Sequence, residues 1–440
     1  MRSIFSTLLI ILIVQSSFGQ YPDAYTSYLI GNVQDTVVQP DFGICMMGGG
    51  IESDPAMIWF LEKANGGDVV VLRASGSNAY NDYMYNELGV NLNSVETIIF
   101  HSEEAANDTN VINSLLGAEA IWIAGGDQSD NIDYWRDTPV EDAINNLILV
   151  KGGAVGGTSA GMAILGQGYF TAQNGSINSP TALSYPYSNA VNLGWDDFIN
   201  TPFLENTITD THFNERTRYG RLTTFMARLI HDQNLDFVRG IGVNTHVAVA
   251  INGDGIAHVY GEYPIYSDEF VYFIQSNCEV IQVPEIVQND LPLTWNRLNR
   301  ALKVYKLPAT LSGENYFDLN DWRDGHGGEW QNWYVENGTL AMIEDQAIPN
   351  CMVGIREKSQ NQIDFKIYPN PASEKITIEH TQSGITKWQV VDISGRILLS
   401  GQIDSHLSES IDVSALNAGF YNIVLKFEHT SISSPFLKVR

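Results

Sequence analysis

Cysteine, positive charge and long apolar runs are all scarce in this chain of 440 residues. Three cysteines are too few for a disulfide framework, and the nine scattered histidines show no Cys/His spacing of a zinc site. The sequence therefore implies no metal and no cofactor. Cys45 lies inside an apolar run and is expected in the core. Cys278 and Cys351 could pair in an oxidising compartment, a question that the sequence leaves open.

The shortage of cations leaves the chain strongly acidic. It has 24 Lys and Arg against 51 Asp and Glu, a formal charge of −27. Such a surface repels phosphate backbones and anionic lipid, so we expect no nucleic-acid or membrane-surface partner. Cationic or neutral substrates remain compatible with it. A hydrophobic content of 44% fits a globular protein with a sizeable core, and the length favours two or three domains.

The N-terminal residues 1–19 have the pattern of a signal peptide. Arg2 supplies the positive start, residues 8–14 are apolar, and Ser17 and Gly19 are small residues at the cleavage positions. The alternative is a membrane anchor, but seven strongly apolar residues are too few to cross ~30 Å of hydrocarbon. No later segment comes near 18 apolar residues. We therefore expect a mature protein that is soluble outside the cytoplasm.

The segment from about 40 to 165 alternates short apolar runs with helical patterns. Because near-continuous apolar strands that alternate with helices are typical of parallel sheets covered on both faces, this segment predicts an α/β domain. Glycine clusters follow the predicted strands, at the carboxyl edge where open α/β sheets bind ligands. The predicted strands are 42–47, 68–72, 97–100, 120–124 and 154–155, and the predicted helices are 55–64, 81–88, 110–116 and 140–150.

The rest of the chain is richer in strand patterns. A helix is predicted at 216–230, followed by β-rich segments at 240–251, 255–261 and 269–276. Short alternating strands beyond a polar linker at 357–362 predict a small all-β sandwich. The expected domains are a signal peptide (1–19), a catalytic domain (20–284), a β-rich extension of its core (285–356) and a C-terminal domain (357–440).

Residues 157–161, Gly-Thr-Ser-Ala-Gly, are the strongest chemical signal. A serine with glycine two residues before and two after it fits a sharp strand-to-helix turn that exposes a nucleophile. The Ser159 hydroxyl would then lie at the start of a helix, and the Ala160 N–H would be free to bind an oxyanion. Small-residue runs are also common in ordinary turns. The flanking strand and helix patterns favour the catalytic interpretation.

A second segment, 210–221, has a histidine followed by three arginines. His212 could act as the general base for a serine. Arg216, Arg218 and Arg221 could hold a substrate carboxylate, or they could be an exposed helical run paired with surface acids.

A third segment, 124–128, ends a predicted strand with two glycines. The backbone N–H of Gly126 could point at an anion, and the Gln128 amide could donate to a substrate.

Together these motifs resemble the cyanophycinase and dipeptidase E group of serine peptidases, peptidase family S51. The resemblance covers residues 40–262 and includes Gly-Gly-Gly at 48–50. It implies a flavodoxin-like parallel sheet flanked by helices, related to class I glutamine amidotransferases. It also implies hydrolysis of peptide or isopeptide bonds beside aspartyl residues, with cyanophycin as one such substrate. By resemblance Ser159 is the nucleophile and His212 the base, and the substrate-site residues are Gln128, Asp210, Arg216, Arg218 and Arg221.

The chain departs from this family at three places. Relatives carry the acidic third member of the triad about 15 to 18 residues after the serine, and here residues 174–177 contain no carboxylate. Thr211 stands where cyanophycinases favour Gln. The segment 242–246, which ends in His246, lies where relatives often carry an acid. A hydroxyl or amide can orient the base, but it stabilises imidazolium less than a carboxylate does.

The tail resembles the type IX secretion sorting domain. The resemblance rests on Tyr-Pro-Asn-Pro at 368–371, Asp-Ile-Ser-Gly-Arg at 392–396 and the closing strand that ends at Arg440. It implies the type IX machinery as a partner and a secreted or cell-surface location. A carbohydrate-binding sandwich is the alternative, and the few aromatics of the tail disfavour it.

Two further functions remain open at this point. The missing acid would fit a surface binding protein on a decayed hydrolase fold, and an esterase or amidase of non-peptide substrates would use the same serine.

Overall fold

The computed structural model describes residues 23–349, 365–380, 387–391, 397–402, 408–417, 419–426 and 431–439. The expected signal peptide and Cys351 lie outside these residues. The chain divides into two compact units, Met1–Pro349 and Asn350–Arg440. Within the described residues, no helix is both long and apolar enough to cross a membrane.

The first unit contains eighteen of the described strands. They are β1 (Tyr25–Gly31), β2 (Gly43–Met47), β3 (Asp68–Arg73), β4 (Ser94–Phe100), β5 (Ala120–Ile123), β6 (Ala154–Thr158), β7 (Gly168–Phe170), β8 (Leu193–Trp195), β9 (Thr207–Asp210), β10 (Arg239–Val243), β11 (Ala248–Ile251), β12 (Ile256–Tyr260), β13 (Phe270–Ser276), β14 (Leu302–Pro308), β15 (Tyr316–Asp318), β16 (Gly325–His326), β17 (Glu329–Glu336) and β18 (Thr339–Glu344).

Helices alternate with the early strands of this unit. The α-helices are α1 (Asp54–Glu62), α2 (Ala79–Asp82), α3 (Thr109–Gly117), α4 (Gln128–Trp135), α5 (Pro139–Asn146), α6 (Ala160–Ala163), α7 (Ser179–Ser184) and α8 (Tyr219–Asp232). Single π-helical turns, Tyr83–Glu87 and Leu147–Lys151, continue α2 and α5, and Glu103–Asn107 is a 3₁₀ helix.

A ten-stranded sheet carries the predicted α/β pattern. Its order is β1-β4-β3-β5-β6-β2-β11-β12-β15-β16, and the five strands from β4 to β2 are parallel. Their side chains are almost entirely buried, as continuous apolar runs predict for strands covered on both faces. The predicted fold class, a parallel-containing sheet flanked by helices with small C-terminal β-sheets, is confirmed.

A second sheet of eight strands is formed by the later part of the unit. Its order is β18-β17-β14-β13-β10-β9-β7-β8. The late strands extend both sheets, because β14 pairs with β13 here and β15 pairs with β12 in the first sheet. The β-rich segment after residue 285 is therefore interleaved with the strands that precede it.

The second unit holds two small antiparallel sheets around one apolar core that includes Ile376 and Ile423. Their strands are β19 (Phe365–Tyr368), β20 (Lys375–His380), β21 (Lys387–Val391), β22 (Ile397–Gly401), β23 (Ser408–Asp412), β24 (Gly419–Lys426) and β25 (Ser431–Lys438).

The cysteines differ in their surroundings. Cys45 is fully buried and free, as its apolar context predicts. Cys278 is disulfide-bonded. Its candidate partner, Cys351, is not among the described residues.

Candidate active site

The serine turn has the geometry that its glycines predict. Strand β6 runs straight into Ser159, and α6 begins at the next residue. Ser159 has φ 51° and ψ −114°, a left-handed conformation that is strained for a residue with a side chain. A methyl group at Gly161 would lie 2.0 Å from the Ile123 carbonyl oxygen, and one at Gly157 would lie 2.6 Å from the Gly161 carbonyl carbon. Only glycine fits at both positions.

His212 lies against this serine. It follows β9 in a tight turn, with φ 45°, and its backbone N–H donates to the Gly48 carbonyl over 2.8 Å. The distance from Ser159 Oγ to His212 Nε2 is 2.9 Å. Gly49 makes room for the imidazole, because a methyl group there would lie 2.4 Å from Nε2. The structure thus joins two motifs that are 53 residues apart.

The other imidazole nitrogen contacts a carboxylate that the sequence analysis missed. His212 Nδ1 lies 3.0 Å from Glu215 Oε2, and the Thr245 hydroxyl donates to the same oxygen over 3.3 Å. A proton on Nδ1 leaves Nε2 free to accept from Ser159. The sequence signal was a His-x-x-Glu spacing within one turn. The family resemblance implies an acid after the serine instead.

The surroundings of His212 set its protonation. Burial lowers the pKa of His212 below its ordinary value, and the nearby Arg216 and Arg218 also lower it, whereas the hydrogen bond to Glu215 raises it. The same hydrogen bond lowers the pKa of Glu215. A neutral imidazole beside an ionised carboxylate is the form that can take a proton from a serine.

One predicted oxyanion donor, Ala160, directly follows the serine, and Gly125, the neighbour of the other predicted donor Gly126, lies against the serine. Gly125 follows β5, and a methyl group there would lie 3.3 Å from Ser159 Cβ. Ala160 is the first residue of α6, where helical N–H groups have no partner within the helix. Gln128 begins α4, and its amide donates to the Phe170 carbonyl.

Two of the three predicted substrate arginines are buried. Arg221 forms a bidentate ion pair with Asp210, at 2.8 Å and 2.6 Å, and lies over the Phe170 ring. Arg218 donates to the Thr211 carbonyl over 2.9 Å, and burial lowers its pKa to about 10. These contacts hold β9, the histidine turn and α8 together.

The third arginine has different surroundings. Arg216 is exposed beside Glu215, and its guanidinium makes no hydrogen bond or ion pair within the described part of the chain. The predicted helix start at 216 was wrong, since α8 begins at Tyr219. Residues 211–217 instead form the turn that holds His212, stabilised by Arg216 N–H to His212 C=O and Arg218 N–H to Phe213 C=O.

The segment 174–177, where relatives carry the acid, does not reach the imidazole. Ser176 Oγ and the Ile177 carbonyl accept from Arg221 instead, over 3.4 Å and 3.3 Å.

A cavity of about 1120 Å³ opens beside His212 and Glu215. Its lining includes two imidazoles and no lysine or arginine of the described residues. Exposed apolar side chains of Ile51, Tyr266 and Leu311 also line it. Among the residues the structure describes, no group of three or more His, Cys, Asp or Glu side chains could hold a metal ion. The six lining carboxylates are Glu52, Asp54, Glu215, Glu262, Asp268 and Glu269.

Comparisons with known proteins agree with the motifs. The model of peptidase family S51 matches residues 59–259. A cyanophycinase of Trichormus variabilis is 28% identical over 181 residues, 41% of this chain and 54% of that protein. A cyanophycinase of Synechococcus elongatus is 23% identical over 228 residues, 50% of this chain and 66% of that protein. The chain thus spans about half to two thirds of the length of these relatives.

A peptidase structure from an acI-B1 Actinobacterium is also similar, at 15% identity and a TM-score of 0.37, covering 53% of this chain and 91% of that one. The model of the secretion system C-terminal sorting domain matches residues 366–438, which supports secretion or a cell-surface location. Residues 59–259 of the chain thus match the model of peptidase family S51, and residues 366–438 match that of the secretion system C-terminal sorting domain.

Proposed function

We propose that this protein is an exported serine peptidase that cleaves peptide or isopeptide bonds next to aspartyl residues, as the cyanophycinase likeness suggests. One observation carries the proposal. The hydroxyl of Ser159, the imidazole of His212 and the carboxylate of Glu215 follow one another at 2.9 Å and 3.0 Å. Such a chain of nucleophile, base and orienting acid is the arrangement that activates a serine for acyl transfer.

In the proposed reaction, Ser159 Oγ attacks the carbonyl carbon while its proton passes to His212 Nε2. The imidazolium then gives this proton to the leaving amine, the C–N bond breaks, and an ester on Ser159 remains. A water molecule, deprotonated by His212, attacks the ester and releases the acid and the free serine. Glu215 holds the Nδ1 proton throughout and stabilises the imidazolium.

The oxyanion of each tetrahedral intermediate would be held by the backbone N–H groups of Gly126 and Ala160. Ala160 directly follows Ser159, and Gly126 is the neighbour of Gly125, which lies against Ser159. Two backbone donors fixed at the position of developing charge are the usual means of stabilising such an intermediate.

For the aspartyl carboxylate we propose Arg216 and Gln128 as contacts. Arg216 is the arginine of its segment that is exposed to solvent. Asp210, Arg218 and Arg221 act through the turn that they hold, since their exposed fractions are 2%, 7% and 2%. This role replaces the direct substrate contact that the resemblance implies for them.

We propose further that the type IX machinery exports the protein through its sorting domain. The enzyme would then act outside the cell or on its surface.

The test is Ser159→Ala. We expect hydrolysis of α- and β-aspartyl dipeptides and of cyanophycin to fall at least ~10³-fold, with an unchanged melting temperature. Wild-type protein should also react with a fluorophosphonate at Ser159, and the variant should not. Full turnover by Ser159→Ala contradicts the mechanism. Wild-type protein that binds aspartyl peptides but never reacts with the probe would instead be a binding protein.

A further inference from the structure

A second histidine faces the cavity beside His212. His246 lies in the turn between β10 and β11, with φ 66°, and its backbone N–H donates to the Gly49 carbonyl over 2.8 Å. A methyl group at Gly50 would lie 2.3 Å from His246 Cδ2 and 2.5 Å from its Nε2.

The two histidines thus lie against successive residues of one glycine loop. His212 bonds to Gly48 and its ring packs on Gly49, while His246 bonds to Gly49 and its ring packs on Gly50. Neighbouring Cα atoms are about 3.8 Å apart. The two rings therefore pack on neighbouring residues of this loop, and the His246 ring is exposed and lines the cavity. It makes no side-chain hydrogen bond or ion pair within the described residues.

The titratable groups that line the cavity with His246 come from three segments. The glycine loop carries Glu52 and Asp54, the histidine turn carries His212 and Glu215, and the loop between β12 and β13 carries Glu262, Tyr266, Asp268 and Glu269. Apart from His212, His246 is the only lining side chain among the described residues that can become positive. Five of the six carboxylates lie outside residues 59–259, so this charge pattern belongs to loops beyond the family match.

We infer that His246 contacts the substrate and sorts substrates by the charge of the residue next to the scissile bond. With a neutral His246 the cavity is negative and favours a basic partner, whose methylene stem would pack on the exposed apolar side chains. A protonated His246 offers an N–H to a carboxylate and weakens that preference. The inference rests on the proposed function, because that function places the substrate across Ser159 and His212.

Binding to Ser159→Ala protein tests this separately from turnover. Calorimetric titration would use the dipeptides Asp-Lys, Asp-Gln and Asp-Glu at about pH 8 and about pH 5.5, on either side of the usual histidine range. We expect Asp-Lys to bind at least about tenfold more tightly than Asp-Glu at the higher pH, and this ratio to fall several-fold at the lower pH. In Ser159→Ala/His246→Gln the ratio should change with pH several-fold less, and the change that remains comes from His212 and the carboxylates of the cavity.

The control is Ser159→Ala/His326→Gln, which removes an exposed histidine that does not line the cavity. It should keep the pH-dependent ratio. The inference is overturned if none of the dipeptides binds, if the ratio does not depend on pH, or if the dependence is undiminished in Ser159→Ala/His246→Gln. Turnover by wild-type protein decides the proposed function independently, whatever these titrations give.

Discussion

The acid that contacts His212 is Glu215, which lies after the histidine and not shortly after the serine as the resemblance implies. Ser159 and His212 could be predicted because each sits in a compact motif whose residue types serve one geometry. Glu215 could not be chosen from the His-x-x-Glu spacing alone, since many surface acids lie three positions after a residue of another kind of site. Glu215 is identified by the turn at 211–217, which brings its carboxylate to the imidazole. This turn depends on the left-handed backbone of His212 and on the backbone hydrogen bonds of the segment.

Replacing Glu215 tests its orienting role. We expect Glu215→Gln to lower kcat by about 10- to 100-fold, less than for a fully buried triad acid because 57% of this side chain is exposed. Steady-state kinetics would measure the loss, and Glu103→Gln, an exposed acid outside the site, should change nothing. Unchanged kcat in Glu215→Gln would remove Glu215 from the mechanism.

The pH profile of the enzyme follows from the surroundings of His212. Burial lowers the pKa of this base, so it stays neutral to lower pH than an ordinary histidine. We expect kcat/KM to rise with pH to a plateau, with a midpoint below about 6.5. Since the Glu215 hydrogen bond raises the same pKa, Glu215→Gln should move the midpoint to still lower pH. A midpoint above the ordinary value would contradict this assignment.

At the scale of elements, the parallel strands and the helices between them were predictable because apolar content and periodicity specify them. Helix α4 was missed because its sequence is largely polar. Strands β7 to β9 were missed because they are short and, unlike the equally short β5, are not continuous runs of apolar residues. Helix α8 begins at Tyr219, later than predicted, because the residues before it form the backbone hydrogen bonds of the histidine turn.

The serine turn between β6 and α6 depends on Gly161. Gly161→Ala would place a methyl group 2.0 Å from backbone oxygen, so the strand or the helix must shift. We expect the free energy of unfolding to fall by at least ~2 kcal/mol, measured by denaturant titration. Gly253→Ala is the matched control, because the nearest atom to its methyl group would be 4.0 Å away. Equal stability of the two variants would mean that the turn is not tightly packed.

The buried ion pair between Asp210 and Arg221 joins β9 to α8. We expect Arg221→Gln to lower the free energy of unfolding by about 3–5 kcal/mol, because it leaves the Asp210 carboxylate buried and without its main partner. Arg300→Gln removes a half-exposed pair with Glu279 and should cost less than about 1 kcal/mol. If Arg221→Gln raised KM without loss of stability, a substrate contact would be the better explanation.

For the whole molecule, the two compact units suggest a division between chemistry and export. A chain ending at residue 364 keeps Cys351 and stops before β19. We expect it to hydrolyse aspartyl dipeptides within about twofold of the full chain, since the site lies wholly in the first unit. In the producing cell it should remain in the cell envelope, which fractionation and immunoblotting would show. Export of the shortened chain would refute the proposed role of the tail.

The late strands β14 and β15 pair with strands of both sheets, so the first unit can complete its sheets only after these strands have been synthesised. Until residues 302–318 are available, β13 lacks its neighbour β14 and β12 lacks its neighbour β15. Two long strand edges would then stay open, and open edges invite pairing with other chains. An N-terminal fragment that already contains Ser159, His212 and Glu215 would thus be prone to aggregate before it could work. We therefore expect activity only after nearly all of the first unit has been synthesised.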